Sequence, residues 1–204
     1  MKDCAIVLNG VVEAKITESF IICADGGAAR LPRGQKPDVI VGDLDSLKSV
    51  PAGVEIIRHS AQKNQTDGEL CVDFAKERGF EKITFYGALG GRLDHVLGNL
   101  ALLAYARALN IDAKTKAAGF DIYFAKEERF KLKTEAGDTV SVIPFGGAVE
   151  VKNSAGLYYP LCDLKIPPQA TRGISNIALS DQAELVIEKG AALIFHYSNN
   201  KAND

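Results

Sequence analysis

At 204 residues, with 47% hydrophobic and 25% charged side chains, the chain can bury one large core or two modest ones. Its 24 basic and 26 acidic residues leave a formal net charge of -2 with no long run of either sign, which argues against the broad basic face of a nucleic-acid or anionic-membrane binder. No stretch is apolar for long enough to span a bilayer, and the four cysteines, Cys4, Cys23, Cys71 and Cys162, form no CxxC pair, so neither a zinc site nor a disulfide framework is expected.

MKDCAIVLNG enters a strand-like run at once, without the apolar core and cleavage site of an export signal. Three of the cysteines sit in apolar runs and read as reduced core residues, with a free reactive thiol as the weaker alternative. A cytoplasmic protein is expected. Along the first half, CAIVL (4–8), FIICA (20–24), DVIV (38–41), VEIIR (54–58) and KITFY (82–86) alternate with helical patterns, which implies a mainly parallel α/β sheet. Thr66 and Glu69 form a capping-box pattern ahead of Leu70, Phe74 and Arg78 at helical spacing. Leu93, Leu97, Leu100 and Ala104 mark one face of a longer helix ending near Leu109. GVVEAKITES, between the first two strands, is too short for a full crossover helix. From about 111 the texture changes to short alternating segments: DIYFA (121–125), FKLK (130–133), TVSVIPF (139–145), AELVIE (183–188) and AALIFHY (191–197). These predict an α/β domain over 1–110 and an all-β sandwich over 111–204.

Four acidic or glycine-rich clusters follow predicted strands, and strand ends of a parallel sheet meet along one edge, where α/β ligands bind. In VGDLDSL (41–47), Asp43 and Asp45 can aim two carboxylates into one crevice, a pairing that a hard divalent cation such as Mg²⁺ would neutralise; an Asx turn with Ser46 is the structural alternative. In ADGGAAR (24–30), Gly26 and Gly27 could bring backbone N–H groups to an anionic ligand. QKNQTDGE (62–69) puts Asp67 in the first turn of a helix, where it also complements the dipole. GALGGRLDH (87–95) brings Arg92, Asp94 and His95 in behind a double glycine; Arg92 suits a phosphate, or else an ion pair with Asp94. Neither a P-loop nor a GxGxxG fingerprint is present.

In order and spacing, ADGG, GDLDS, QTD and GGRLDH, followed by GLYYPL (156–161) and RGISN (172–176), resemble the thiamine pyrophosphokinase family over almost the whole chain. The resemblance implies a Rossmann-like N-terminal domain that binds ATP, a thiamine-binding C-terminal β-sandwich, and a homodimer with thiamine sites between subunits. The implied reaction moves the pyrophosphoryl group of ATP to the hydroxyl of thiamine, giving thiamine diphosphate and AMP. By the same resemblance Asp43, Asp45 and Asp67 are the catalytic, Mg²⁺-holding carboxylates, Asp67 being also the candidate base. Asp25, Gly26, Gly27, Ser46, Thr66, Arg92, Asp94 and His95 fall on the nucleotide side, and Ser175 with Asn176 would meet the aminopyrimidine.

The chain departs from the family in two places. Many members read KDxTD where this one reads Lys63 to Asp67 with Asn64 in place of a carboxylate, which removes a charge from any second metal. There is no tryptophan, which some members use near the thiamine; Tyr158, Tyr159 or Tyr197 could stack in its place, with packing in the sandwich as the favoured alternative for each of them. Two other readings stay open: a metal-dependent nucleotide-sugar transferase using the DxD pair, and a non-catalytic thiamine or nucleotide sensor.

Overall fold

The computed structural model describes residues 1–44, 52–59 and 64–199. The chain is sheet-rich and divides into two units, Met1–Ala117 and Ala118–Asp204.

In the first unit, strands β1 (Asp3–Val7), β2 (Ile21–Ala24), β3 (Val39–Gly42), β4 (Glu55–Arg58), β5 (Lys82–Tyr86) and β6 (Asp112–Ala117) pair in parallel in the order β6-β5-β1-β2-β3-β4. The central strands are buried on both faces, with Ile6, Val7, Ile22, Cys23, Ile40 and Val41 fully enclosed, which is why their sequences run apolar without alternation. Each such aliphatic side chain contributes about 1.5–3 kcal/mol over an exposed one. Burial also pushes the Cys4 and Cys23 thiols up to about 12, so both behave as small apolar residues.

Helix α1 (Asp67–Glu77) begins at a closed capping box. Glu69 N donates to Thr66 Oγ1 at 3.3 Å and Thr66 N donates to Glu69 Oε2 at 2.7 Å. Its Leu70, Cys71, Phe74 and Ala75 are buried, and the helix packs against β1, β2 and β3. Helix α2 (Leu93–Ala108) runs where the apolar spacing places it and is capped at Leu109; its buried residues are Leu100, Leu102, Leu103 and Ala106, while Leu93 and Leu97 are 79% and 67% exposed. Sixteen helical residues rise about 24 Å, against about 17 Å for the five-residue β5. The helix is thus longer than the strand before it, and its first turns, with Leu93 and Leu97, are exposed.

The change of texture after Asn110 marks the end of α2 rather than the end of the unit. β6 pairs in parallel with β5, Asp112 opposite Lys82, and the division falls after Ala117 instead of after Asn110. DAKTKA carries one buried residue, Thr115, so its sequence hides the strand.

The second unit contains two antiparallel arrays. One has the order β12-β9-β14-β7, from β7 (Phe120–Lys126), β9 (Thr139–Pro144), β12 (Asn176–Ile177) and β14 (Ala191–Tyr197). The other is a sheet with the order β11-β10-β13-β8, from β8 (Arg129–Lys133), β10 (Val149–Ala155), β11 (Leu164–Ile166) and β13 (Gln182–Lys189). Short connections at 127–128 and at Gly190 carry the chain from one array to the other. Val140, Val142 and Ile194 of the first and Val151, Leu185 and Ile187 of the second share one hydrophobic cluster. Among the described residues no helix is long and apolar enough to cross a membrane.

Candidate functional site

The first unit's parallel strands end along one edge at Val7, Ala24, Gly42 and Tyr86. β1 has β2 on one side and β5 on the other, so the strand order reverses there, the usual place for a ligand crevice. The following loops enclose a cavity of about 880 Å³, in the upper part of the range of about 300–1,000 Å³ typical for small-molecule sites.

Asp25, Asp43 and Asp67 all line it. Asp25 follows β2 with φ +40 and is 8% exposed, and its Oδ1 is buried without a hydrogen-bond partner. A carboxylate left in that state is costly. Gly42 shows how the group converges: a Cβ there would lie 2.9 Å from Asp25 Cβ and 3.1 Å from Asp67 Oδ1. Only glycine lets these two side chains approach the end of β3, and Asp43 is the next residue. Unpartnered buried oxygen, a glycine gap and hard oxygen donors fit a divalent cation. Among the described residues no group of three or more His, Cys, Asp or Glu is placed to hold a metal ion. Asp45 and Ser46 lie outside the described residues.

The other sequence candidates in this unit divide into paired and structural groups. Arg92 forks onto Asp94, Nε to Oδ1 at 3.1 Å and Nη2 to Oδ2 at 2.5 Å, while His95 N donates to Asp94 Oδ1 at 3.0 Å. The Arg92 hydrogen bond holds the Asp94 carboxyl down at about 2. All three residues are exposed at the cavity wall. Thr66 acts as the α1 cap that fixes Asp67 in the first turn. Asn64 is exposed. Gly26 and Gly27 are buried in a short 3-10 helix, Asp25–Arg30.

Sequence reasoning missed Asn9, Arg30 and Tyr105, which also line the cavity. Asn9-Gly10 follows β1 as Asp25-Gly26 follows β2, and that parallel was the available signal. Tyr105 carries no comparable local signal, because it is recruited by a contact between helices. Its hydroxyl donates to Asp73 Oδ1 at 2.7 Å, and Gln65 Nε2 donates to Asp73 Oδ2 at 2.7 Å. The Asp73 carboxylate holds the Tyr105 hydroxyl above its ordinary range. This ties α2 to the loop that delivers Asp67.

In the second unit Ser175 is exposed with φ +59, and its N–H donates to Ser141 Oγ at 2.9 Å. Asn176 is 3% exposed. Its Oδ1 accepts from Tyr159 N at 2.9 Å and its Nδ2 donates to Tyr159 O at 2.7 Å. These bonds fix the backbone at Tyr159, and the exposed rings of Tyr158 and Tyr159 meet edge to face at 4.8 Å. Tyr197 stacks on Phe120 at 4.6 Å.

A family model described as thiamin pyrophosphokinase, catalytic domain, matches residues 13–115, and one described as thiamin pyrophosphokinase, vitamin B1 binding domain, matches 123–193. The thiamine pyrophosphokinase of Bacillus subtilis is 29% identical over 179 residues, which cover 83% of this chain and 82% of that protein. The crystal structure of thiamine pyrophosphokinase from Bacillus subtilis superposes with a TM-score of 0.83 at 25% identity, covering 97% of this chain and 100% of that one. The yeast thiamin pyrophosphokinase structure, at 18% identity, shares the fold with a TM-score of 0.76 over 98% of this chain and 88% of its own. With both family models matched in order along it, the chain belongs to the thiamine pyrophosphokinase family.

Proposed function

We propose that this chain is a Mg²⁺-dependent diphosphotransferase that moves the pyrophosphoryl group of ATP to the hydroxyl of thiamine, releasing thiamine diphosphate and AMP. The observation that carries the reading is the convergence of Asp25 and Asp67 on Gly42, with an unpartnered buried Asp25 Oδ1 beside Asp43. In an all-protein interior that arrangement is unfavourable; facing a cation and a polyphosphate it is useful.

Asp43, Asp45 and Asp67 would hold Mg²⁺, with Asp25 beside them. When bound, the ion offsets the charge of the triphosphate as it meets the carboxylates. The chain's own residues supply positioning, on which phosphoryl-type transfer chiefly depends. The Thr66 cap and the Gln65-Asp73-Tyr105 network fix the backbone that presents Asp67. Gly26, Gly27, Ser46, Arg92, Asp94 and His95 serve the nucleotide. In the second unit Ser175 meets the aminopyrimidine, and Asn176 acts through the Tyr158-Tyr159 segment it holds. In this reading the first unit is a Rossmann-like ATP and Mg²⁺ domain and the second a thiamine-binding β-sandwich, supported by the parallel strand order and by the core shared between the two antiparallel arrays. The enzyme works in the cytoplasm as a homodimer with thiamine sites between subunits; exposed Leu93 and Leu97 are consistent with a further contact surface.

Purified protein with ATP and Mg²⁺, assayed for AMP with and without thiamine, tests the proposal. Thiamine-dependent AMP is the expected result. Tight thiamine binding without AMP would instead support a non-catalytic sensor.

A further inference from the structure

Two arginines reach the cavity, Arg30 and Arg92, and their partners differ in charge. Arg92 is forked onto the Asp94 carboxylate. Arg30, the last residue of the 3-10 helix after β2, donates Nε to the neutral amide oxygen of Asn9 at 3.0 Å. Among the described residues no carboxylate pairs with it. The Asn9 amide is itself seated against Gly26: a Cβ there would lie 3.0–3.1 Å from its Nδ2, Cγ and Oδ1. Glycine at 26 therefore admits Asn9, and Asn9 orients the guanidinium without cancelling its charge.

We infer that Arg30, oriented by Asn9, is the cationic contact for the nucleotide's phosphate chain, and that Asn9 is its positioning residue. The inference rests on the nucleotide-dependent reading of this cavity. With Nε held by Asn9, the two terminal nitrogens can engage phosphate oxygens as a pair, the geometry that distinguishes arginine from lysine. The wall needs such a group, because Asp25, Asp43, Asp67 and Glu69 line the same space and repel a polyphosphate. Arg92 answers that need less well, since Asp94 already compensates it.

Calorimetric titration with inorganic tripolyphosphate, ATP and adenosine, each with Mg²⁺, tests the inference on the full chain. Arg30→Gln is expected to weaken tripolyphosphate and ATP by about tenfold or more, the value of a charge-assisted hydrogen bond, with adenosine affinity unchanged. Arg30→Lys should recover part of the loss, and Asn9→Ala should fall between, both with wild-type circular dichroism. Undiminished tripolyphosphate binding by Arg30→Gln would overturn the inference, as would an equal loss for adenosine, which signals a collapsed cleft. AMP release by the unsubstituted protein, measured alongside, separates the two questions. Release together with undiminished binding by Arg30→Gln removes Arg30 alone, whereas absence of release overturns the functional reading.

Discussion

Asp25 in the first unit and Asp138 in the second are 8% and 3% exposed, yet their surroundings are opposite. Asp138 Oδ2 accepts from Glu135 N at 2.8 Å and lies 2.7 Å from His196 Nε2, and Oδ1 accepts from Asn199 N at 2.9 Å. Asp25 has a positive φ and an Oδ1 with no partner. Folding alone favours the first arrangement, because a buried carboxylate is tolerated when each oxygen is used. The second persists when a ligand completes it, so the contrast separates a residue that holds the fold from one that serves chemistry.

The largest effect is expected at the satisfied aspartate. Asp138→Ala strips His196 and two backbone donors of their acceptor and should cost about 3–5 kcal/mol in urea unfolding, with AMP release per folded molecule unchanged. Burial acts to raise the Asp138 carboxyl, but the His196 hydrogen bond and the two backbone N–H groups outweigh it and hold it below its ordinary value. A carboxyl depressed in the folded state contributes stability that is present above the unfolded value of about 3.9. That stability is lost as pH falls from there through the folded value. Asp138→Asn should therefore flatten the acid limb of the urea midpoint plotted against pH.

Gly42→Ala tests the convergence directly. Its methyl would meet Asp25 Cβ at 2.9 Å and Asp67 Oδ1 at 3.1 Å, forcing the carboxylates apart. We expect kcat to fall on the order of a hundredfold, the scale of a small misplacement of reacting groups, with a stability loss of about 1–3 kcal/mol from overpacking. Wild-type kcat would mean that their spacing is irrelevant. A smaller effect is expected for Asn176→Ala, which releases Tyr159 N and O. It should lower stability by about 1–2 kcal/mol and raise the thiamine KM while leaving the ATP KM unchanged. A shift in both constants would point to general loosening.

The strands that carry this contrast were legible for a physical reason: β1, β2 and β3 are buried on both faces and so appear as largely apolar runs. The capping box at Thr66 was equally plain, because both halves lie within four residues. DAKTKA was not, since a strand with one buried position has no pattern to read. Leu93 and Leu97 marked their helix, but helical spacing does not say whether a core lies beneath it, and both are exposed. Within the candidate site, the order of the motifs was visible, but the meeting of Asp25 and Asp67 at Gly42 was not. It depends on the register of β2 beside β3, Ala24 opposite Val41, and on the entry of α1. Nor could the sequence tell that Asn176 would be engaged by the Tyr159 backbone.

Asp25→Asn brings the comparison to a single measurement, the melting temperature and thiamine-dependent AMP release of the same sample. Asparagine tolerates a positive φ and removes an unpartnered buried charge, so the melting temperature should hold or rise while AMP release falls by about 10²–10³-fold. Full AMP release from a folded Asp25→Asn protein would contradict the account, because the least satisfied carboxylate of the cavity would then have no part in its chemistry.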